Sequence, residues 1–274
     1  MDRRRLHLAA GRRAHRIVAV GIQGGNMPAA CVTTSWDDGG EGDARIGEML
    51  ADRGMKGTFY WPVAADHPHY RLPSRAVAAD LLAAGMEIGS HTVTHPILTR
   101  VPTEQVHTEL RESKARLEEH IDRPVDAFCY PAGYYDRRIR DATEAAGYRL
   151  ARTTDGMRID TRFDPFLMPV TVQLFPHGRR VHLTHSLRRR NLRGLFTWTA
   201  RLRVATDLMQ LTEAALDLIT ETGGMFHLWG HSWELDEHGL WPTLEVLLDR
   251  IAERPGVRHV TNTEAVAALL PEGR

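Results

Sequence analysis

Two adjacent carboxylates, Asp37 and Asp38, close an apolar run over residues 29–34 and are followed by Gly39 and Gly40. Successive side chains of a strand point to opposite sides, so a pair at its end faces two different partners, and glycine lets the chain turn away. One carboxylate can then hold a metal while its neighbour handles a proton; the plainer alternative is an acidic strand-to-loop turn. After a second apolar run at 86–90, His91 and His95 stand four apart. At that spacing both imidazoles converge if the segment makes one helical turn, which Pro96 would break. With Asp38 they supply two imidazoles and a carboxylate, a ligand set for zinc or a similar divalent ion with one position left for water. Ions of this kind generate hydroxide near neutral pH.

Short apolar runs alternate with helical patterns along the chain, which predicts β-α units around a parallel sheet. Strands are expected at 29–35, 56–61, 86–90, 125–130, 149–153, 168–174, 225–230 and 257–261, and helices at 41–53, 74–84, 103–120, 136–146, 206–222, 242–253 and 263–270. Thr103, after Pro102, is placed as the N-cap of the third helix, with Val106, Leu110, Leu117 and Ile121 on its apolar face and its charged face in water. Thr261 and Glu264 can form a capping box for the last. Seven or eight such units predict a barrel in one domain, and parallel barrels place their chemistry at the C-terminal ends of the strands, where every residue named above falls.

The 274 residues are 42% hydrophobic and 26% charged, enough for one large core and unlike a disordered or fibrous chain. Thirty-five basic residues balance thirty-five acidic ones, so no global field draws in nucleic acid, and none is expected as a partner. Cys31 and Cys129 both lie in apolar runs and read as buried thiols, compatible with a reducing compartment. Residues 1–26 form an arginine-rich extension with Met27 as the expected true start, and 27–274 form the catalytic domain. The short apolar stretch at 17–22 is too brief for a secretory signal and no run has the length of a membrane span, so a cytoplasmic protein is expected.

Four stretches together resemble the polysaccharide deacetylases (NodB-homology domain). They are Ser35-Trp36-Asp37-Asp38-Gly39, Gly57-Thr58-Phe59-Tyr60, the segment from His91 to Pro96, and Phe128-Cys129-Tyr130-Pro131-Ala132-Gly133. The resemblance runs from Met27 to the C-terminus. It implies a distorted β/α barrel, Asp37 as catalytic base, and Asp38, His91 and His95 as ligands of a divalent metal, zinc foremost with cobalt, nickel or manganese as alternatives. It also implies an oxyanion and substrate wall at Tyr130, Pro131 and the backbone N–H of Ala132. One departure stands out: many members have an arginine two positions before the proline, pairing with the catalytic aspartate, where this chain has Cys129. Arg152, at the end of a neighbouring predicted strand, can reach the same place.

The family's last motif, a leucine followed three positions later by histidine, matches Leu228-Trp229-Gly230-His231. It makes His231 the general acid and Leu228 a wall for the acyl methyl. His227 faces the same side as His231 by strand alternation and is either a supporting partner or a satisfied core histidine. Ser232-Trp233-Glu234 resembles a subgroup that includes hydrolases of small amides and cyclic ureides, with Trp233 towards substrate and Glu234 behind the histidine. The expected activity is metal-dependent hydrolysis of a non-peptide amide, an acetyl or formyl group on an amino sugar of a cell-surface glycan or its precursor. The alternatives are a ureide or cyclic imide amidohydrolase and a catalytically silent glycan-binding relative.

Residues 177–203 fit no barrel unit. Eight arginines (179, 180, 188, 189, 190, 193, 201 and 203) alternate with Leu187, Leu192, Leu195, Phe196 and Trp198. The stretch reads as an insertion packed by its apolar residues, or as a site for an anionic, phosphate-bearing substrate or a membrane surface. Oligomeric state is not legible.

Overall fold

The structure, a computed structural model, describes residues 30–270; the expected extension at 1–26 lies outside them. Eight strands form one sheet in which every paired neighbour is parallel: β1 (Ala30–Asp37), β2 (Thr58–Trp61), β3 (Glu87–Ser90), β4 (Ala127–Cys129), β5 (Leu150–Arg152), β6 (Val172–Gln173), β7 (Gly224–His231) and β8 (Arg258–His259). Their order is β5-β4-β3-β2-β1-β7-β6, with β8 beside β1. β8 takes the lower part of the β1 edge, at Cys31 and Val32, and β2 the upper part, from Ser35 to Asp37. The sheet curls until Arg152 of β5 bridges to Met168, just before β6. There the Met168 N–H donates to Ala151 O and the Thr153 N–H to Met168 O, each at 2.9 Å. The result is the expected distorted (β/α) barrel.

Helices α1 (Gly42–Ala51), α2 (Arg75–Ala83), α3 (Thr103–Ile121), α4 (Arg137–Ala145), α7 (Leu208–Thr222), α9 (Trp241–Ala252) and α10 (Asn262–Leu269) cover the sheet, and α5 (Arg179–Arg188), α6 (Leu192–Phe196) and the short α8 (Ser232–Glu237) lie near the strands' C-terminal ends. Ser74, Asp136 and Asp207 cap α2, α4 and α7 through their side chains, and Thr261 with Glu264 closes the expected capping box. The third cap differs from expectation. Pro102 holds the N-cap position of α3 and Thr103 is already helical, its hydroxyl accepting from Arg138 Nη1 at 3.2 Å.

Strand parity divides the core. Val32, Trp36, Phe59, Ile88, Phe128, Phe226 and Leu228 face outward and meet Ile46, Leu50, Leu110, Leu216 and Leu248 of the helices. Fully burying one such side chain contributes about 1.5–3 kcal/mol, so this outer layer holds the fold. Cys31, Tyr60, Leu150 and Met225 point into the barrel. Above them the inner positions turn polar, ending at Asp37, Cys129, Arg152 and His231. The register sets Asp37 beside Tyr60 on one side and His231 on the other, and Cys129 beside Arg152.

Candidate active site

Asp37 is the last residue of β1 and its side chain faces the barrel axis, so Asp38, the next residue, must leave the strand to face the same cavity. It does so with φ +75°, a left-handed backbone that a non-glycine residue adopts only under constraint. The constraint is the crossing segment at Arg71, whose N–H donates to Asp38 O at 3.1 Å. Gly39 is required there, because a Cβ on it would sit 1.9 Å from Arg71 O.

The two histidines also meet, by a different route from the expected helical turn. Residues 91–96 form a loop with Thr92 at φ +72° and His95 at φ +58°. Glu109, buried on α3, pins it: its carboxylate accepts from Val93 N at 2.7 Å, Thr94 N at 2.9 Å and the Thr94 hydroxyl at 2.5 Å. The charged face of α3 is therefore not all in water. His91 Nδ1 lies 2.8 Å from Cys129 O, which turns Nε2 outward. His91 Nε2 and His95 Nε2 stand 3.1 Å apart and lie 3.6 and 3.3 Å from Asp38 Oδ1.

These separations fit a metal centre. Donors about 2.0–2.1 Å from a tetrahedral ion lie ~3.3 Å from one another. Asp38 Oδ1 is buried without a hydrogen-bond partner, while Asp38 Oδ2 accepts the Trp233 indole N–H at 3.0 Å, so the free oxygen is the one aimed at the imidazoles. Burial depresses both histidines to about 4, keeping them neutral and able to donate lone pairs. Asp37, His91 and Cys129 form a second close group. Burial raises the Cys129 thiol well above its ordinary value, and it donates to Asp37 Oδ2 at 3.7 Å.

Arg152 is fully buried and its Nη2 bonds Asp37 Oδ2. Burial alone would raise the Asp37 carboxyl, but Arg152, His91 and His231 together hold it below the usual carboxylate range. Its other oxygen, Oδ1, has no partner. His231 Nδ1 bonds Glu234 Oε2 at 2.7 Å and its Nε2 lies 3.6 Å from Asp38 Oδ2. Burial would depress His231, yet the Glu234 bond with the Asp38 and Asp37 charges raises it to about 8. The cavity over these groups has a volume of about 450 Å³.

Four expected site residues sit elsewhere or act differently. Leu228 is fully buried in the outer layer, because residues three apart on a strand face opposite ways; Trp229 takes the wall position instead. Tyr130 is buried and its hydroxyl donates to Phe166 O at 3.0 Å, so its ring belongs to the packing below the loop. Pro131 is buried at the start of that loop and shapes it without lining the cavity. Trp233 lines the cavity, but its indole is committed to Asp38 and its ring stacks on His69 at 4.5 Å. His227 is a satisfied core histidine: Nε2 lies 2.8 Å from the Ser35 hydroxyl and Nδ1 3.2 Å from Pro169 O, and burial lowers it to about 3.

Ala132 adopts φ +51° on the cavity wall. Arg189, just past α5, reaches over from the arginine-rich stretch and donates Nη2 to Ala132 O at 2.5 Å and Nη1 to Gly133 O at 2.6 Å. In the sequence Arg189 is one of eight arginines with nothing to single it out, and Glu109 falls on the face of α3 expected in water.

Residues 24–151 match the family model described as polysaccharide deacetylase, a span holding the aspartates, the histidines and the Pro131 loop. Over just under half of its length the chain is similar to the polysaccharide deacetylase family. Its match to YxkH of Bacillus subtilis, a protein named after the polysaccharide deacetylases, is 26% identical over 46% of this chain and 45% of that protein, so the chain spans just under half the length of this curated relative. Among solved structures it resembles the family 4 carbohydrate esterase domain of a xylanase from the hindgut metagenome of Trinervitermes trinervoides (TM-score 0.56, 12% identity, 87% of this chain and 90% of that one). It also resembles a family 4 acetyl xylan esterase of Clostridium thermocellum with a cobalt ion (0.53, 13%, 86% and 90%) and a family 4 pseudoenzyme of Bacillus anthracis (0.52, 14%, 87% and 66%). At these identities the likeness is one of fold. The deacetylase match stops one residue before Arg152 and includes neither His231 nor the arginine-rich stretch.

Proposed function

We propose that the chain is a member of the polysaccharide deacetylase family and a metal-dependent hydrolase that removes an acetyl or formyl group from the nitrogen of an amino sugar in a glycan or glycan precursor. The observation that carries the reading is the convergence of Asp38 Oδ1, His91 Nε2 and His95 Nε2 beside an unpartnered Asp37 oxygen. Asp38, His91 and His95 would hold a divalent ion, zinc foremost, which when bound supplies Lewis acidity at the acyl carbonyl and acidifies water. The cobalt-bearing esterase relative is consistent with a divalent site in this fold.

The chain's own groups do the rest. Asp37, ionised by its pairing with Arg152, takes the proton of the attacking water on Oδ1. The Ala132 N–H, on the cavity wall, would be the donor to the oxyanion that forms at the acyl carbon. His231, protonated at neutral pH by its bond to Glu234, gives its Nε2 proton to the departing amine as the C–N bond breaks. Neutral imidazole ligands beside a charged acid histidine form a division of labour that three histidines of ordinary pKa would not produce. The Arg152 contact also weighs against a silent binding role, since the aspartate it holds keeps both its charge and a free oxygen.

The test is a substrate panel. The metal-loaded protein should release acetate or formate from N-acylated amino-sugar oligomers and leave cyclic ureides intact. Turnover of ureides with none of the sugars would replace this reading by the amidohydrolase one.

A further inference from the structure

From Pro165 to Thr206 the sequence contains no aspartate or glutamate, although the whole chain has as many acidic as basic residues. The same stretch holds four of the six large hydrophobic side chains exposed among the described residues: Leu183 at 43%, Leu187 at 54%, Leu192 at 68% and Phe196 at 65%. They are paired by helical spacing, Leu183 with Leu187 on α5 and Leu192 with Phe196 on α6, so each helix turns one apolar row outward. The opposite side seats them on the barrel. Asn191 Nδ2 donates to Gly156 O at 2.8 Å, Gly194 allows that carbonyl's close approach, and Trp198 is buried with its indole N–H on Ala205 O.

The pair of helices is thus anchored, and its outward rows are not the loose end of a core. Arg180 and Arg188 of α5 and Arg190 in the turn before α6 are exposed and make no ion pair among the described residues. On a surface meeting only water, exposed leucines and phenylalanine gain nothing, and unpaired arginines repel one another. On an anionic bilayer both are satisfied, the apolar rows at the acyl boundary and the guanidinium groups at the headgroups. No helix among the described residues is long and apolar enough to cross a membrane.

We infer that α5 and α6 form a docking surface for an anionic lipid bilayer, held by Leu183, Leu187, Leu192 and Phe196 with Arg180, Arg188 and Arg190. His185, Ser186 and Arg188 of α5 also line the catalytic cavity, so a docked molecule has the cavity mouth beside the headgroup layer. A nucleic acid would use the arginines but leave the aliphatic rows in water, and a second copy of the chain would carry the same uncompensated positive charge.

The experiment is flotation of the full chain with vesicles of phosphatidylcholine alone or with about 30% phosphatidylglycerol. Binding needs neither metal nor turnover, so its result is independent of the deacetylase reading. Flotation is expected only with the anionic vesicles, and should weaken at least tenfold both in L187S/L192S/F196S and in R180E/R190E. Circular dichroism melting of each variant is expected to match the parent, and acetate release from a soluble substrate to be unchanged. No flotation with anionic vesicles, or equal flotation by the apolar variant, overturns the inference. So does a concentration-dependent dimer in sedimentation that is lost in the apolar variant, because the partner is then a second copy.

Discussion

Arg152, at the end of β5, bonds Asp37, at the end of β1, in the barrel interior, and the Cys129 thiol of the intervening β4 touches the same carboxylate oxygen. Cys129 and Arg152 are register partners on adjacent strands, so the guanidinium reaches Asp37 beside the small residue at 129. The pair is fully buried, so its two charges depend on each other.

Arg152→Ala should therefore lower turnover by two to four orders of magnitude, the range that general catalysis supplies, and destabilise the fold by about 3–5 kcal/mol by stranding the Asp37 charge. Adding Cys129→Arg to that variant should restore part of both, since the new guanidinium enters vacated space beside the same carboxylate. Melting curves and steady-state rates check this; no recovery of either would mean that Arg152 acts otherwise than through Asp37.

Glu109 touches no reacting group, yet three donors of the His91–His95 loop converge on it. Glu109→Ala should weaken metal binding about 10–100-fold, as loss of a ligand's supporting partner does, with a smaller effect from Glu109→Gln. Competition with a chromophoric chelator measures it, and unchanged affinity would show that the loop holds its left-handed turns unaided.

His231 sets the alkaline side of the pH profile. Raised to about 8, it is protonated below that value and loses its proton as pH rises through it, so kcat/KM should fall on that limb. Glu234→Gln removes the carboxylate that stabilises the imidazolium, and the limb should move to lower pH. Because His227 is held by Ser35 and Pro169, His227→Ala should reduce stability and leave the limb in place.

Arg189 is expected to act by positioning. Arg189→Leu frees the carbonyls of Ala132 and Gly133 and lets the loop carrying the oxyanion donor move, so kcat should drop about tenfold or more with KM nearly constant. Arg189→Lys should not rescue it, because one ammonium cannot reproduce a two-pronged contact. An effect confined to KM would assign Arg189 to substrate binding.

The strands and the convergence of Asp38, His91 and His95 are legible because strand ends and residue types carry them directly: β1 ends on Asp37 with Asp38 next, and β3 leads straight into the segment of the two histidines. Leu228 departs from the expected place because the motif spacing ignores strand parity, which puts His227, Trp229 and His231 together on the other face. Tyr130 failed for a similar reason, since nothing local tells an aromatic ring under a loop from one lining it. The left-handed Thr92 and His95 could not be read at all, having no glycine to mark them; a carboxylate on α3, remote in sequence, holds that geometry. Arg152 was legible only as a reachable position, and its burial against Asp37 is a property of the curled sheet.

The central claim is that one ion bound by Asp38, His91 and His95 is required for deacylation. Its most direct measurement is stepwise return of zinc or cobalt to chelator-treated protein, reading bound metal and released acetate in the same samples. The stripped protein is expected to release no acetate, activity to rise in proportion to metal up to one ion per chain, and an Asp37→Asn variant to bind the ion equally well while releasing acetate at least a hundredfold more slowly. Acetate release that is undiminished in the stripped protein would contradict it.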